Sequence, residues 1–133
     1  MGVDLVEVAR VDRLLAEHPV AAERLFTPRE RSQSRGGAHL AGRFAAKEAF
    51  LKAWSSSRAG QPPALARGEL DLRDIEVVDD GFGRPSLRLH GAIRAAANPE
   101  QTHVHLSISH DGPVAAAVVV LEGGEEKPRA PES

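Results

Sequence analysis

The stretch from Leu40 to Trp54, LAGRFAAKEAFLKAW, constrains this chain more than any other: it reads as a helix apolar on nearly every side, yet it carries Arg43, Lys47, Glu48 and Lys52. At about 100° per residue, Leu40, Phe44, Leu51 and Trp54 line one stripe, and Gly42, Ala45, Ala49 and Ala53 form a small-residue face opposite. Such a helix is expected to be buried on two sides. Lys47 then projects from within the large-residue stripe, with Arg43 and Glu48 at its margins, so these charges do not lie on a solvated face. Buried ions left alone are strongly destabilising. They must meet one another, a bound anion or a metal. Two cations beside one carboxylate leave positive charge unmatched, which favours a ligand site over a structural ion-pair cluster.

The 133-residue length suits one domain with a modest core. With four Phe, one Trp and no Tyr, packing rests on Leu, Val and Ala, and oligomerisation could add core that a small protomer lacks. The chain has no cysteine, hence no disulfide and no thiolate metal site, which is compatible with a reducing cytoplasm. No apolar run approaches the length of a membrane span, and Met1 leads straight into GVDLVEV without a signal-type stretch. A soluble, cytoplasmic protein is expected. The net charge of −2 hides a division: residues 1–68 hold 11 Lys/Arg against 7 Asp/Glu, and residues 69–133 hold 6 against 12. The first half therefore suits an acidic partner or phosphates, unless the two halves interleave in space. Nucleic acid is a poor candidate partner, since no aromatic residues interleave with the basic ones and no helix has a basic outer face.

Along the chain, a short strand around Val3 is expected to lead into a helix with Val8, Val11, Leu14 and Leu15 as apolar positions. FTPRE places Thr27 as N-cap, Pro28 at the first helical position and Glu30 three after the cap, a capping box. SQSRGGAH reads as a loop before the charged helix, and Ser55 to Gly68 as a surface connection. Ile75–Val78, the turn DDGFGRP and Ser86–Leu89 read as a hairpin; GAIRAAA is a short helix ending at Asn98-Pro99. In VHLSIS, Val104, Leu106 and Ile108 alternate with His105, Ser107 and Ser109, giving a strand with one polar face, and Val114–Leu121 suits a buried strand. The expected fold is α+β: a single domain over 1–121 with a small, mostly antiparallel sheet on a long central helix. Residues 122–133 are expected to form a disordered tail.

Several groups can carry chemistry, and each has a plain structural alternative. Asp4 with Glu7 reads first as an N-cap and its return partner. Glu48 needs a cationic partner. Two such carboxylates can hold Mg²⁺, which takes few protein oxygens and fills its shell with water and phosphate. SISHDG places Ser109, His110 and Asp111 where hydroxyl and imidazole can donate to phosphate and His or Asp can act as a base; an outer strand face with an Asp-Gly turn explains the same letters. GFGRP, with Gly83 and Pro85, either approaches a flat ligand or is an ordinary turn. No Walker loop, GxGxxG or HExxH occurs.

In this order, GVDLVEVARV, FTPRE, LAGRFAAKEAFLKAW, GRP and LSISHD resemble the holo-acyl carrier protein synthase family of 4′-phosphopantetheinyl transferases, over Gly2 to about Leu121, and look most like its actinobacterial members. The resemblance implies Mg²⁺-dependent transfer of phosphopantetheine from coenzyme A to a serine of an apo acyl carrier protein, or of a fatty acid synthase carrier domain. It puts the metal on Asp4 and Glu48, and coenzyme A on Arg43, Lys47, Lys52, Gly83, Pro85, Ser109 and His110. It makes Arg10 and Arg35 carrier-protein contacts, and it implies a homotrimer with active sites at subunit boundaries. Glu48, directly or through metal-bound water, is the first choice for the base and Asp111 the second. The family has a few more residues before its Gly-x-Asp segment, so a short first strand, weakly paired, or a natural start upstream of Met1 is expected. Two rivals stand beside this reading: a coenzyme A or nucleotide-binding module without catalysis, and an interaction protein whose buried charges pair internally.

Overall fold

In the computed structural model, which describes residues 1–66, 68–98 and 102–123, strand β1 (Gly2–Glu7) leads directly into helix α1 (Val8–Glu17). Asp4 therefore lies in mid-strand and caps nothing; Glu7 occupies the N-cap of α1 and makes no side-chain cap bond. Nor is the first strand weakly paired. All six of its residues pair antiparallel with β5, from Gly2 opposite Val119 to Glu7 opposite Val114. Helix α2 (Pro19–Leu25) is one the sequence pattern did not single out, because PVAAERL carries too few large apolar residues to show a period. Helix α3 (Pro28–Ser32) begins with the expected capping box.

The central helix, α4 (Gly37–Ser57), extends about a turn beyond the apolar stretch at each end. Its small-residue face is the more deeply buried of the two: Ala41, Ala45, Ala49 and Ala53 are inaccessible, while Phe44, Leu51 and Trp54 remain half-buried. Small side chains let the sheet come close. A Cβ on Gly2 of β1 would run into the carbonyl oxygen of Ala49 and lie 2.6 Å from the Ala53 nitrogen, and one on Gly42 would lie 2.8 Å from Ile108. This contact sets where Asp4 sits relative to the helix.

A short 3-10 turn (Leu72–Asp74) precedes the hairpin β2 (Ile75–Asp79) and β3 (Pro85–Leu89), which is followed by α5 (Gly91–Ala97), β4 (Thr102–Asp111) and β5 (Val114–Gly123). Both sheets are antiparallel: a three-stranded one in the order β1-β5-β4 and the two-stranded hairpin. The polar alternation of β4 is realised, with Val104, Leu106 and Ile108 half-buried and His103, His105, Ser107 and Ser109 exposed. Phe26, Phe50, Ile75, Val77, Ile93 and Val119 complete a core shared by α4 and both sheets. Asn98 closes α5 in the left-handed conformation. Pro99 and residues 124–133 of the expected tail lie outside the described residues, and β5 continues to Gly123. Among the described residues, no helix is long and apolar enough to cross a membrane.

Candidate active site

Alternation along β1 turns Gly2, Asp4 and Val6 toward α4 and leaves Val3 and Leu5 47% and 69% exposed on the other face. Asp4 thereby meets the C-terminal half of α4, where Lys52 donates to its Oδ1 at 2.8 Å and to the Val3 carbonyl at 3.2 Å. The Asp4 carboxylate holds the Lys52 ammonium above its usual pKa. Glu48, one turn back from Lys52, is half-buried, and no hydrogen bond or ion pair to it forms among the described residues. Burial raises the pKa of its carboxyl and the charge of Asp4 raises it further, against the opposing pull of Lys52 and Arg10. Asp4 is thus close enough for its charge to act on Glu48, and its own bonded cation is an exposed lysine.

Glu48 opens onto a groove of about 570 Å³ between Arg24 and Leu25 of α2 and the segment Leu70–Arg73. Leu51, Gly68 and Leu70 also line an apolar cavity of about 710 Å³, together with Trp54 and Pro62–Ala66. Among the described residues, no group of three or more His, Asp and Glu could hold a metal ion. A cation seated at Asp4 and Glu48 would therefore have two protein carboxylates and open positions, a donor set that suits Mg²⁺.

Other predicted site residues take different places. Lys47 requires a correction, because its ammonium is fully buried and all three of its donors are used within the fold, on Glu30, Leu72 and Ile75; it has nothing left for coenzyme A. The charge count along α4 alone looked unmatched because its counter-ion, Glu30, comes from α3. Arg43 is also almost fully buried and donates to Asp79 Oδ2 at 2.8 Å, but its Nε lacks a partner. Asp79 pairs with Pro85 across the β2–β3 ladder, so Arg43 adjoins the turn that carries Gly83. In that turn Asp80 accepts from the amides of Phe82 and Arg84, and Gly83 has a φ of 79°.

Ser109, His110 and Asp111 lie exposed at the end of β4. Ala117 of β5 separates Asp4 from Ile108, so Asp4 and the start of the Ser109–Asp111 run are two strand spacings apart, about 9.5 Å. Ser109 also faces away from α4. His110 shares the face of Asp4 but lies two residues beyond the position opposite it, so one chain does not bring this run onto Asp4 and Glu48. Arg10 on α1 is exposed and close enough to lower the Glu48 pKa, and Arg35 is exposed just ahead of α4. The sequence reading missed Glu30 and Asp79 as partners of the two buried cations. The signal for Glu30 was present in the capping box, but only its local role was read.

A family model described as the 4′-phosphopantetheinyl transferase superfamily matches residues 1–119. The chain is 43% identical over 127 residues to a holo-[acyl-carrier-protein] synthase of Mycobacterium leprae, covering 92% of this chain and 95% of the relative. It is also 43% identical to one of Geobacter sulfurreducens, covering 91% and 94%. Among solved structures it superposes on an ACPS–CoA complex of Chronobacterium ammoniagenes with a TM-score of 0.84 at 38% identity, covering 93% and 96%. The Helicobacter pylori holo-[acyl-carrier-protein] synthase in complex with coenzyme A gives 0.72 at 28%, covering 91% and 98%.

Proposed function

Because this chain belongs to the 4′-phosphopantetheinyl transferase superfamily, we propose that it is a holo-acyl carrier protein synthase, moving the phosphopantetheine arm of coenzyme A onto a serine of an apo acyl carrier protein. In this reaction the serine oxygen bonds to the β-phosphorus, the bond from that phosphorus to the bridging oxygen breaks, and adenosine 3′,5′-bisphosphate leaves. The observation that carries the reading is the pairing of Asp4 with Lys52 close enough to Glu48 for the Asp4 charge to raise its pKa, where Glu48 lines a groove.

Asp4 and Glu48 would hold Mg²⁺, which when bound neutralises charge on the pyrophosphate. Lys52 can swing from Asp4 to a phosphate oxygen, since its own side chain is 56% exposed. Arg43 holds the β2–β3 turn through Asp79 and keeps one N–H unassigned. The serine proton goes to Glu48, which lines the groove, or to Asp111.

The split between Asp4/Glu48 and Ser109–Asp111 supports a trimer in which His110 and Asp111 of one subunit complete the site of the next. Val3, Leu5 and Val120, all exposed on the outer sheet face, would be covered in that assembly. Arg10 and Arg35 would meet the acidic carrier. We place the reaction in the cytoplasm. Incubating the protein with apo carrier protein, coenzyme A and Mg²⁺ should add the mass of one phosphopantetheine group to the carrier. Coenzyme A binding with an unmodified carrier would instead support the non-catalytic module.

A further inference from the structure

Lys47 and Glu30 are the two largest fully buried charged side chains, and nothing in the proposed chemistry uses them. The Lys47 ammonium donates to Glu30 Oε1 at 2.8 Å, to the Leu72 carbonyl at 2.8 Å and to the Ile75 carbonyl at 2.7 Å, and lies 5.6 Å from the centroid of the Phe26 ring. Glu30 also accepts from the Thr27 amide at 2.9 Å and, through Oε2, from the Val77 amide at 3.0 Å. The pair is neutral and satisfied, so it needs no ligand. Its bonds are also unevenly directed. Two of the three from Lys47, and the Oε2 bond of Glu30, end on the backbone between Leu72 and Val77.

That backbone leads out of the groove wall facing Glu48. The wall has other supports, since Leu72 packs against the core and the His90 amide donates to the Asp74 carbonyl at 2.8 Å. Lys47 and Glu30, however, are the buried charged groups bonded to the backbone from Leu72 to Val77, and the Arg73–Asp71 ion pair is local and exposed. We infer that Glu30 and Lys47 are positioning residues, pinning the Leu70–Arg73 wall at a set distance from Glu48 and so fixing the groove that receives coenzyme A. A buried ion pair seldom adds net stability over apolar residues of the same volume, whereas three directed bonds fix a backbone segment in one place. The inference rests on the reading that the Glu48 groove takes coenzyme A.

The test is the double variant Lys47→Met with Glu30→Gln, which removes both charges together and strands neither, assayed beside the wild type. The variant should fold and form holo-carrier, with the KM for coenzyme A raised roughly tenfold or more and the KM for the carrier within about twofold of wild type. A general loss of folded protein would lower turnover without splitting the two KM values. A folded variant with wild-type KM for coenzyme A overturns the inference; a wild type that leaves the carrier unmodified overturns the functional reading beneath it. A second measurement needs neither activity nor a folded variant. In the wild type, the Val77 amide, which Glu30 holds just beyond the wall, should exchange hydrogen as slowly as the core amides of α4, and exchange roughly 100-fold faster would show that Glu30 does not hold this backbone and overturn the pin.

Discussion

Lys47 and Glu48 are neighbours on one helix, one turned into the fold and the other toward the groove. Lys47 has every donor occupied by protein and a counter-ion beside it. Glu48 has no bonded partner among the described residues, a second carboxylate close by, and a pKa pushed up by both circumstances. An α-helix turns about 100° per residue, so adjacent positions serve different surroundings. The contrast separates a charge whose bonding is complete within the fold from one that, in the proposed function, a metal ion would complete. Satisfaction of the bonding capacity, more than burial, distinguishes them, since Lys47 is the more buried of the two.

Breaking each side of this contrast should give different failures. Glu48→Ala and Asp4→Ala should each reduce phosphopantetheine transfer by about 10³-fold, with the thermal midpoint nearly unchanged, as read by carrier mass and by a melting curve. Glu30→Ala strands Lys47 in the interior and should remove about 3–5 kcal/mol of stability, measured by urea unfolding. Arg10→Glu should raise the KM for the carrier by roughly tenfold while sparing that for coenzyme A, an effect that shrinks with added salt.

The smallest effect sharpens the comparison most. Because the pKa of Glu48 lies above its usual value in the folded state, the fold favours its protonated form. Ionisation as pH rises from the usual glutamate value through the folded one therefore removes stability. Without coenzyme A and metal, Glu48→Gln should accordingly melt about 2 °C higher than wild type at neutral pH. The two should converge near about pH 4, where both carry a neutral side chain. A variant that melts lower than wild type at neutral pH would mean that Glu48 already has a stabilising partner.

Much of the fold was legible in the sequence because the signals were local. The Thr27–Glu30 capping box, the hairpin on either side of GFGRP and the alternation in VHLSIS each lie within about fifteen residues, and each appears as expected. Helix α2 was not legible, since PVAAERL has no apolar period to betray it. In the site, the sequence pattern asked for a cationic partner to Glu48, and no ion pair to it forms among the described residues. It misjudged Lys47, whose counter-ion lies 17 positions away, and Asp4, whose spacing to Glu7 imitates a cap while strand pairing with β5 keeps it extended. Pairings across such distances depend on packing that no short pattern encodes. The placement of Ser109, His110 and Asp111 was legible as a strand end, but the opposed faces of Asp4 and Ser109 emerge only from the strand register.

The central claim is that Glu48 awaits a divalent cation shared with the phosphates of coenzyme A. Calorimetric titration of coenzyme A into wild type and Glu48→Gln, with and without Mg²⁺, tests it most directly. The account predicts that Mg²⁺ tightens coenzyme A binding to the wild type by roughly tenfold or more and leaves binding to Glu48→Gln unchanged. Equal wild-type affinity with and without Mg²⁺, or full enhancement surviving in Glu48→Gln, would contradict it.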